Sequence, residues 1–318
     1  MPNIVVLDAH TTNPGDLDWQ PIEALGLVKI YDRTPADKLL ERCQNAEIIL
    51  TNKAVFNEDI FAQLPQLKLI ATLSTGYNVI DVKAAKKHDV TVCNVSGYST
   101  SAVAQQVFSY ILNFTNQVQK HDTSVQSGQW ENHVDWCYFL NPIQELKGKT
   151  LGIFGLGKIG QKVAEIALVF EMKVIAYRQN VSKGSPLNVE LVDIDTLVKN
   201  SDFLTLHAPL TAESEGFINQ NILSEMKKTA FLINTGRGGL IVENDLKIAL
   251  ENGIITGAAL DVLSAEPPHE GNILIGTKNC LITPHNAWMS QQSRRRLIAE
   301  SGDNIRAFLD NKPRNVVS

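Results

Sequence analysis

The sequence predicts an α/β chain built from doubly wound parallel sheets, and three observations carry that class. Short apolar, β-rich runs alternate with helical patterns in two successive stretches, and such alternation implies βαβ units with parallel strands. The second stretch opens on a strand, a glycine-rich turn and a helix in immediate succession. The length of 318 residues suits two domains, at roughly 150 residues each.

The elements follow in order. In the first stretch Ile4–Leu7, Glu47–Thr51, Leu67–Leu73 and Val90–Cys93 read as strands, with helical patterns near 16–26, 34–44, 57–64 and 81–88. Ser99–Lys120 follows, its apolar residues Ala102, Val103, Val107, Tyr110, Ile111 and Phe114 spaced mostly three or four apart. That spacing predicts a long helix with a buried face. The segment 121–142 sets Trp130, Trp136, Tyr138 and Phe139 among polar residues. Such surface packs on something, a second subunit or its own domain. From Thr150 a second series begins, with strands expected at Leu151–Phe154, Lys173–Tyr177, Phe203–His207, Ala230–Asn234, Ile255–Asp261 and Cys280–Thr283. Six strands with crossover helices match a dinucleotide-binding sheet.

Composition narrows the function. Twenty-nine basic residues against 34 acidic ones leave a net charge of −5, whereas a nucleic-acid protein carries a basic stripe. A local pocket can still be positive and take an anion. The four cysteines, 43, 93, 137 and 280, form no CxxC pair, so a zinc finger or disulfide framework is a poor reading and no metal is expected. Scattered thiols suit inert roles in a reducing cytoplasm. No run reaches a membrane-spanning length, and the N-terminus reads as a first strand rather than a signal peptide. The expectation is a cytoplasmic protein with no membrane and no nucleic-acid partner.

Leu151-Gly-Ile-Phe-Gly155-Leu-Gly157-Lys158-Ile159-Gly160 is a strand followed by GxGxxG and a helix. Gly155 makes the tight turn, Gly157 lets the backbone approach a pyrophosphate, and Gly160 lets the helix pack on the strand. Free N–H groups at the helix start, where Lys158 and Ile159 lie, favour phosphate. The flanking strands turn a weak motif into a dinucleotide site. The strand 173–177 ends at Arg178, where an acid would hold the ribose 2′-hydroxyl of NAD. A guanidinium suits a 2′-phosphate and favours NADP. The alternative is that Arg178 stacks on adenine and either cofactor binds.

Ligands of such sheets bind at the carboxyl ends of the strands. Three successive ends carry Asn234-Thr235-Gly236-Arg237, then Asp261 with Glu266, then His285. Hydride transfer to a 2-keto acid needs a cation that grips the carboxylate and polarises the ketone, which suits Arg237. It also needs a proton donor for the nascent hydroxyl, which suits His285. A carboxylate beside that histidine, Glu266, raises its pKa and fixes its orientation.

With these residues the chain resembles the D-isomer-specific 2-hydroxyacid dehydrogenases along nearly its whole length. The matching motifs are Ser74-Thr-Gly-Tyr77-Asn-Val-Ile-Asp81, the fingerprint at 155–160, His207-Ala-Pro209-Leu-Thr211, Asn234-Thr-Gly-Arg-Gly-Gly239, Ala259-Leu-Asp-Val262 with Glu266-Pro-Pro268, and Thr283-Pro-His285. The resemblance implies a Rossmann cofactor domain and a flavodoxin-like substrate domain with a cleft between them. It assigns residues 1–99 and 289–318 to the substrate domain and 100–288 to the cofactor domain, and 121–142 looks like the family's dimerisation arm. It makes Arg237 the substrate-binding arginine, His285 the general acid/base and Glu266 its partner. Asp261 would hold the nicotinamide carboxamide, and His207 and Pro209 would lie along the cofactor beside Thr235 and Gly236; a structural role for His207 is the alternative. Thr75 and Gly76 would cradle the substrate carboxylate, and Lys53 and Tyr77 would shape the pocket.

The pattern Asn13-Pro-Gly-Asp-Leu-Asp-Trp19, Thr51-Asn-Lys53 and the Trp288 context is most similar to the hydroxypyruvate reductase branch, so a homodimer that reduces hydroxypyruvate or glyoxylate is expected, with other D-2-hydroxy acids such as lactate or phenyllactate as alternatives. Asn78 stands where many relatives have Asp, and Glu266 where the formate dehydrogenases have Gln. A dinucleotide-sensing protein of the co-repressor type is the competing function; the lack of an added tail speaks against it. Arg294, Arg295 and Arg296 point around one helix. They are expected to form a solvated face or to pair at a domain interface, with Arg294 or Arg295 facing the cleft as the alternative.

Overall fold

The computed structural model describes residues 1–180, 184–185 and 189–318. The chain divides into two compact units, Met1–Ser99 with Trp288–Ser318, and Thr100–Ala287.

In the first unit five strands, β1 (Asn3–Val6), β2 (Leu27–Ile30), β3 (Ile48–Thr51), β4 (Leu69–Thr72) and β5 (Thr91–Cys93), form a parallel sheet in the order β2-β1-β3-β4-β5. This is the flavodoxin-like order. The inner strands are apolar on both faces because helices cover both. Ile4 and Val6 join one buried cluster with Ile48 and Leu50, and Val5 and Leu7 join the opposite cluster with Ile49. Helices α1 (Ala9–Thr12), α2 (Gln20–Glu23), α3 (Leu39–Cys43), α4 (Glu58–Phe61) and α5 (Val82–Lys87) connect the strands. The C-terminal helix Gln291–Leu309 returns to this unit and buries Leu297, Ile298 and Ile305 against Ile4 and Val6. After it, Val317 donates from its N–H to Val92 O at 2.8 Å, and Val316 makes an antiparallel bridge with Cys93.

In the second unit helices α6 (Thr100–Asn116) and α7 (Val118–Gln126) precede a sheet of seven parallel strands. These are β6 (Thr150–Phe154), β7 (Lys173–Tyr177), β8 (Glu190–Leu191), β9 (Phe203–Leu206), β10 (Phe231–Asn234), β11 (Gly257–Leu260) and β12 (Cys280–Ile282). Their order is β12-β11-β10-β9-β6-β7-β8, the dinucleotide-binding arrangement extended by one strand, with the order reversing beside β6. Helices α8 (Lys158–Val169), α9 (Ile194–Asn200), α10 (Gln220–Glu225) and α11 (Glu243–Glu251) complete the unit.

Several elements differ from expectation for physical reasons. The reading of the sequence has no strand between residues 7 and 47, yet β2 lies there; it is a sheet edge whose residues are all exposed or half-buried, so no apolar run marks it. The helix expected near 16–26 shrinks to the four residues of α2. The expected helix 99–120 breaks at Gln117, which takes φ 50°, and α7 carries helix into the segment read as an aromatic connection. A seventh strand, β8, is only two residues long. Burial pushes the thiols of Cys43 and Cys280 up to about 12 and that of Cys93 to about 11, so these three stay protonated, while Cys137 is exposed. Among the described residues no helix is long and apolar enough to cross a membrane.

Candidate active site

The strand order puts the predicted chemistry on neighbouring strand ends. β10, β11 and β12 are adjacent, and their carboxyl ends lead into Arg237, into Asp261 and Glu266, and into His285. The His285 ring Nδ1 lies 2.5 Å from Glu266 Oε2. The other carboxylate oxygen, Oε1, accepts from the Leu263 backbone N–H at 2.9 Å, so the carboxylate is fixed at one end and holds the imidazole at the other. His285 takes a left-handed backbone, φ 51°, and its N–H donates to Asp261 O at 2.8 Å.

The Asp261 side chain, 2% exposed, accepts three hydrogen bonds from its own chain. Its Oδ1 accepts from Thr283 Oγ1 at 2.5 Å and from the Asn286 N–H at 2.9 Å, and its Oδ2 accepts from the Ala287 N–H at 2.9 Å. Burial pushes its pKa above the ordinary carboxylate value, against the pull of these donors. Thr283 Oγ1 also bonds the hydroxyl of Tyr110 on α6. The loop that carries His285 is therefore tied at both ends.

Arg237 follows β10 in a turn shaped by Asn234. The Asn234 side chain accepts from the Gly236 N–H at 2.9 Å and donates to Arg237 O at 2.9 Å, and Arg237 Nη1 donates to Gly236 O at 2.8 Å. Gly238 presses this turn on the loop after β11: a Cβ there would stand 2.0 Å from Leu263 C and O. The turn of Arg237 and the loop of Glu266 thus pack backbone to backbone, which only glycine permits.

The glycine fingerprint joins β6 to α8. Gly155 has φ 103°, and a Cβ on it would meet Ala208 N at 2.6 Å, so the turn rests on the His207–Pro209 loop as well as bending the chain. A Cβ on Gly157 would enter open space, and no side chain caps the first turn of α8, whose opening N–H groups have no intrahelical partner. Thr235 Oγ1 is buried without a hydrogen-bond partner among the described residues. A free helix start, an open glycine surface and an orphaned hydroxyl fit a dinucleotide, whose pyrophosphate the N–H groups of Lys158 and Ile159 would meet. Arg178 lies at the end of β7, next to β6, with Nη1 donating to Gly184 O at 2.8 Å. His207 Nε2 lies 2.9 Å from Thr205 Oγ1, and burial pulls its pKa down to about 3, so the ring is neutral.

In the first unit Thr75 and Gly76 form the turn after β4. Thr75 Oγ1 donates to Val95 O at 2.8 Å and Ser74 Oγ to Gly76 O at 2.5 Å. Among the described residues nothing accepts from the Thr75 and Gly76 N–H groups. The Lys53 ammonium has no acceptor among the described residues, and Tyr77 is exposed. The alternative of a cleft-facing Arg294 is corrected: the side chain is buried in a two-pronged pair with Asp16, both contacts 2.7 Å, and it holds the Asp16 carboxyl near 2. Arg296 donates to Tyr98 O and Ser293 Oγ. Reasoning from the sequence assigned no role to Thr283 and Tyr110, which act between distant segments, nor to the Asn234 side chain, which shapes its own turn. Gly238 left a signal as the second glycine of Gly236-Arg-Gly238, and Asn234 and Thr283 open the motifs that carry Arg237 and His285.

Fold and site together define a nicotinamide-dependent oxidoreductase. Residues 108–287 match the model of the D-isomer specific 2-hydroxyacid dehydrogenase NAD binding domain. The chain is 41% identical over 321 residues to a hydroxypyruvate reductase of Blautia hydrogenotrophica, covering 99% of each. It is 40% identical over 292 residues to a glycerate dehydrogenase of Methylorubrum extorquens, covering 91% of each. Among solved structures, an acyclic imino acid reductase in complex with NADPH and D-Arg superposes with a TM-score of 0.87 at 32% identity, over 99% of this chain and 100% of that one. The chain belongs to the D-isomer specific 2-hydroxyacid dehydrogenase family. It is an enzyme that reduces a 2-keto acid with a nicotinamide dinucleotide, and the sensing alternative is not favoured.

Proposed function

We propose that the enzyme reduces hydroxypyruvate, with glyoxylate as a second substrate, to the D-2-hydroxy acid, and that Arg237, Glu266 and His285 carry the reaction. The contact between His285 Nδ1 and Glu266 Oε2 at 2.5 Å carries this reading. When bound, the reduced nicotinamide supplies the hydride to C2 of the keto acid. Arg237 grips the carboxylate and polarises the ketone, as a planar guanidinium does well. Protonated His285 donates from its other ring nitrogen, Nε2, to the oxygen that becomes the hydroxyl, and in the reverse direction it takes that proton back. Glu266 keeps the proton on Nδ1 and stabilises the imidazolium. In the first unit, Lys53 and the free N–H groups of Thr75 and Gly76 bind the substrate's carboxylate, and Tyr77 shapes its pocket. On the cofactor side Gly155, Gly157 and Gly160 admit the pyrophosphate. Thr235, Gly236, His207, Pro209 and Asp261 line the rest of the dinucleotide.

Arg178 favours NADPH. The half-buried guanidinium at the strand end suits a 2′-phosphate, and the imino acid reductase at 32% identity holds NADPH. The segment 121–142 is a dimerisation arm: Trp136 is 86% and Phe139 68% exposed, apolar surface of the kind that partners bury. A reducing cytoplasm is its compartment, given the unpaired thiols.

The test follows the absorbance of reduced cofactor with hydroxypyruvate, glyoxylate, pyruvate and phenylpyruvate, each with NADH and with NADPH. The highest kcat/KM is expected with hydroxypyruvate and NADPH. A higher value for pyruvate or phenylpyruvate overturns the substrate assignment, and equal use of NADH overturns the role of Arg178.

A further inference from the structure

Asp8 occupies the N-cap position of α1 but makes no side-chain bond to that helix. Its carboxylate turns instead to the loop after β3. It accepts from the backbone N–H groups of Asn52 (2.8 and 3.0 Å to its two oxygens), Lys53 (2.6 Å) and Ala54 (3.2 Å), and from Thr51 Oγ1 (3.0 Å). Three consecutive N–H dipoles converging on one point repel each other unless an anion sits among them, and bonds to an anion are the strong kind. The same loop is tied to the next one. Asn52 Nδ2 donates to Leu73 O at 3.0 Å, the Leu73 N–H donates to Thr51 O at 2.7 Å, and Leu73 leads into the Ser74–Tyr77 turn.

We propose that Asp8 is a positioning residue for the reaction: one carboxylate sets the loop that presents Lys53 and, through Asn52, braces the turn that presents the Thr75 and Gly76 N–H groups. This rests on the proposal that Lys53, Thr75 and Gly76 bind the substrate's carboxylate. Asp8 touches no substrate and acts only through the backbone it collects. Gaining a cap for α1 would satisfy one helix end; holding the β3 loop fixes the place of a lysine whose charge has no acceptor among the described residues. Asparagine has the same shape, but its amide nitrogen is a donor and cannot accept from an N–H group. Asp8→Asn therefore takes the anion out of the loop with little change in volume.

The experiment compares D8N and K53M with the unaltered enzyme by KM and kcat for the best keto acid, Kd of the reduced cofactor by fluorescence, and melting temperature. Expected for D8N is a KM raised about tenfold, the effect of losing one good charged hydrogen bond, with kcat and cofactor Kd nearly unchanged. K53M should raise KM by at least as much. A normal KM in D8N beside a raised KM in K53M overturns the role of Asp8 and leaves the reading of Lys53 standing. A normal KM in K53M overturns both. A D8N variant that loses kcat, cofactor affinity and substrate affinity alike has a general structural fault, which also overturns the proposal. Should D8N melt too low to assay, T51A removes the hydroxyl that bonds Asp8 and accepts from the Ala54 N–H, and leaves the carboxylate in place: a raised KM with unchanged cofactor Kd supports the proposal, and an unchanged KM overturns it.

Discussion

Adding one methyl group at Gly238 is expected to disable the enzyme without touching any reacting group. In Gly238→Ala the new Cβ would lie 2.0 Å from Leu263 C and O and 2.5 Å from Ser264 N. Ordinary carbon contacts are about 3.5–4.0 Å, so the two backbone segments must part by roughly 1.5 Å. No flexible side chain is available to absorb the shift, because every atom met is backbone. One segment carries Arg237. The other holds Glu266 through the Leu263 N–H and, through Glu266, His285. Misplacing reacting groups by about 1 Å costs on the order of 100-fold in rate, so kcat/KM should fall by at least that much. Overpacking costs about 1–3 kcal/mol, well inside the roughly 5–15 kcal/mol of a folded protein, so the variant should remain folded and melt a few degrees lower. Steady-state kinetics, cofactor affinity and a thermal melt are read on the same preparation. A folded G238A with kcat/KM within threefold of the unaltered enzyme would refute the idea that this close approach aligns Arg237 with Glu266 and His285.

Other expectations test neighbouring parts of the argument. His285→Ala should lower kcat by roughly 10²–10⁴, the usual worth of a positioned acid/base; near-normal turnover would remove it from the mechanism. Arg237→Ala should raise KM and lower kcat together, since it contacts ground and transition states, and a loss confined to cofactor affinity would contradict its role. His207 binds its proton far more weakly when folded, at about 3 against an ordinary 6.5. Its contribution is therefore intact above pH 6.5 and is lost as pH falls below it, because the unfolded chain then takes up the proton. Urea unfolding at pH 6.5 and pH 5 should show that His207→Asn is spared about 2 kcal/mol of the loss the unaltered enzyme suffers; equal losses would sink the assignment. Sedimentation of a W136S/F139S variant should give a monomer with native secondary structure, and a monomeric parent enzyme would end the proposal of an arm.

Much of the second unit was legible in the sequence because its signals are local. The buried strands β6, β9 and β10 are apolar runs; β6 and β10 locate the fingerprint and Arg237, while Glu266 and His285 follow β11 and β12. What stayed hidden acts between distant segments or at edges. β2 is half-exposed, so it lacks the apolar run that marks β3 and β4. The break at Gln117 involves neither glycine nor proline. Asp8 follows the expected strand Ile4–Leu7 with no local mark of its role, and only the folded chain shows it serving the loop 44 to 46 residues further on. Tyr110 read as one apolar position on a helix, while its hydroxyl bonds Thr283 across 173 residues. Arg294 read as one charge of three, and its buried pair with Asp16 spans 278 residues.

The return of residues 288–318 to the first unit has a consequence during synthesis. The second unit is one continuous stretch and is complete once Ala287 has left the ribosome. The first ninety-nine residues emerge earlier but lack the helix that covers Ile4, Val6 and Leu50. At roughly 5–20 residues per second, that apolar face waits on the order of 10–40 s for Leu297, Ile298 and Ile305 to arrive. For that interval the nascent chain offers a chaperone an uncovered parallel sheet beside a finished neighbour. A permuted gene that encodes residues 288–318 ahead of residue 1 would close the face first and should fold with less demand for such help.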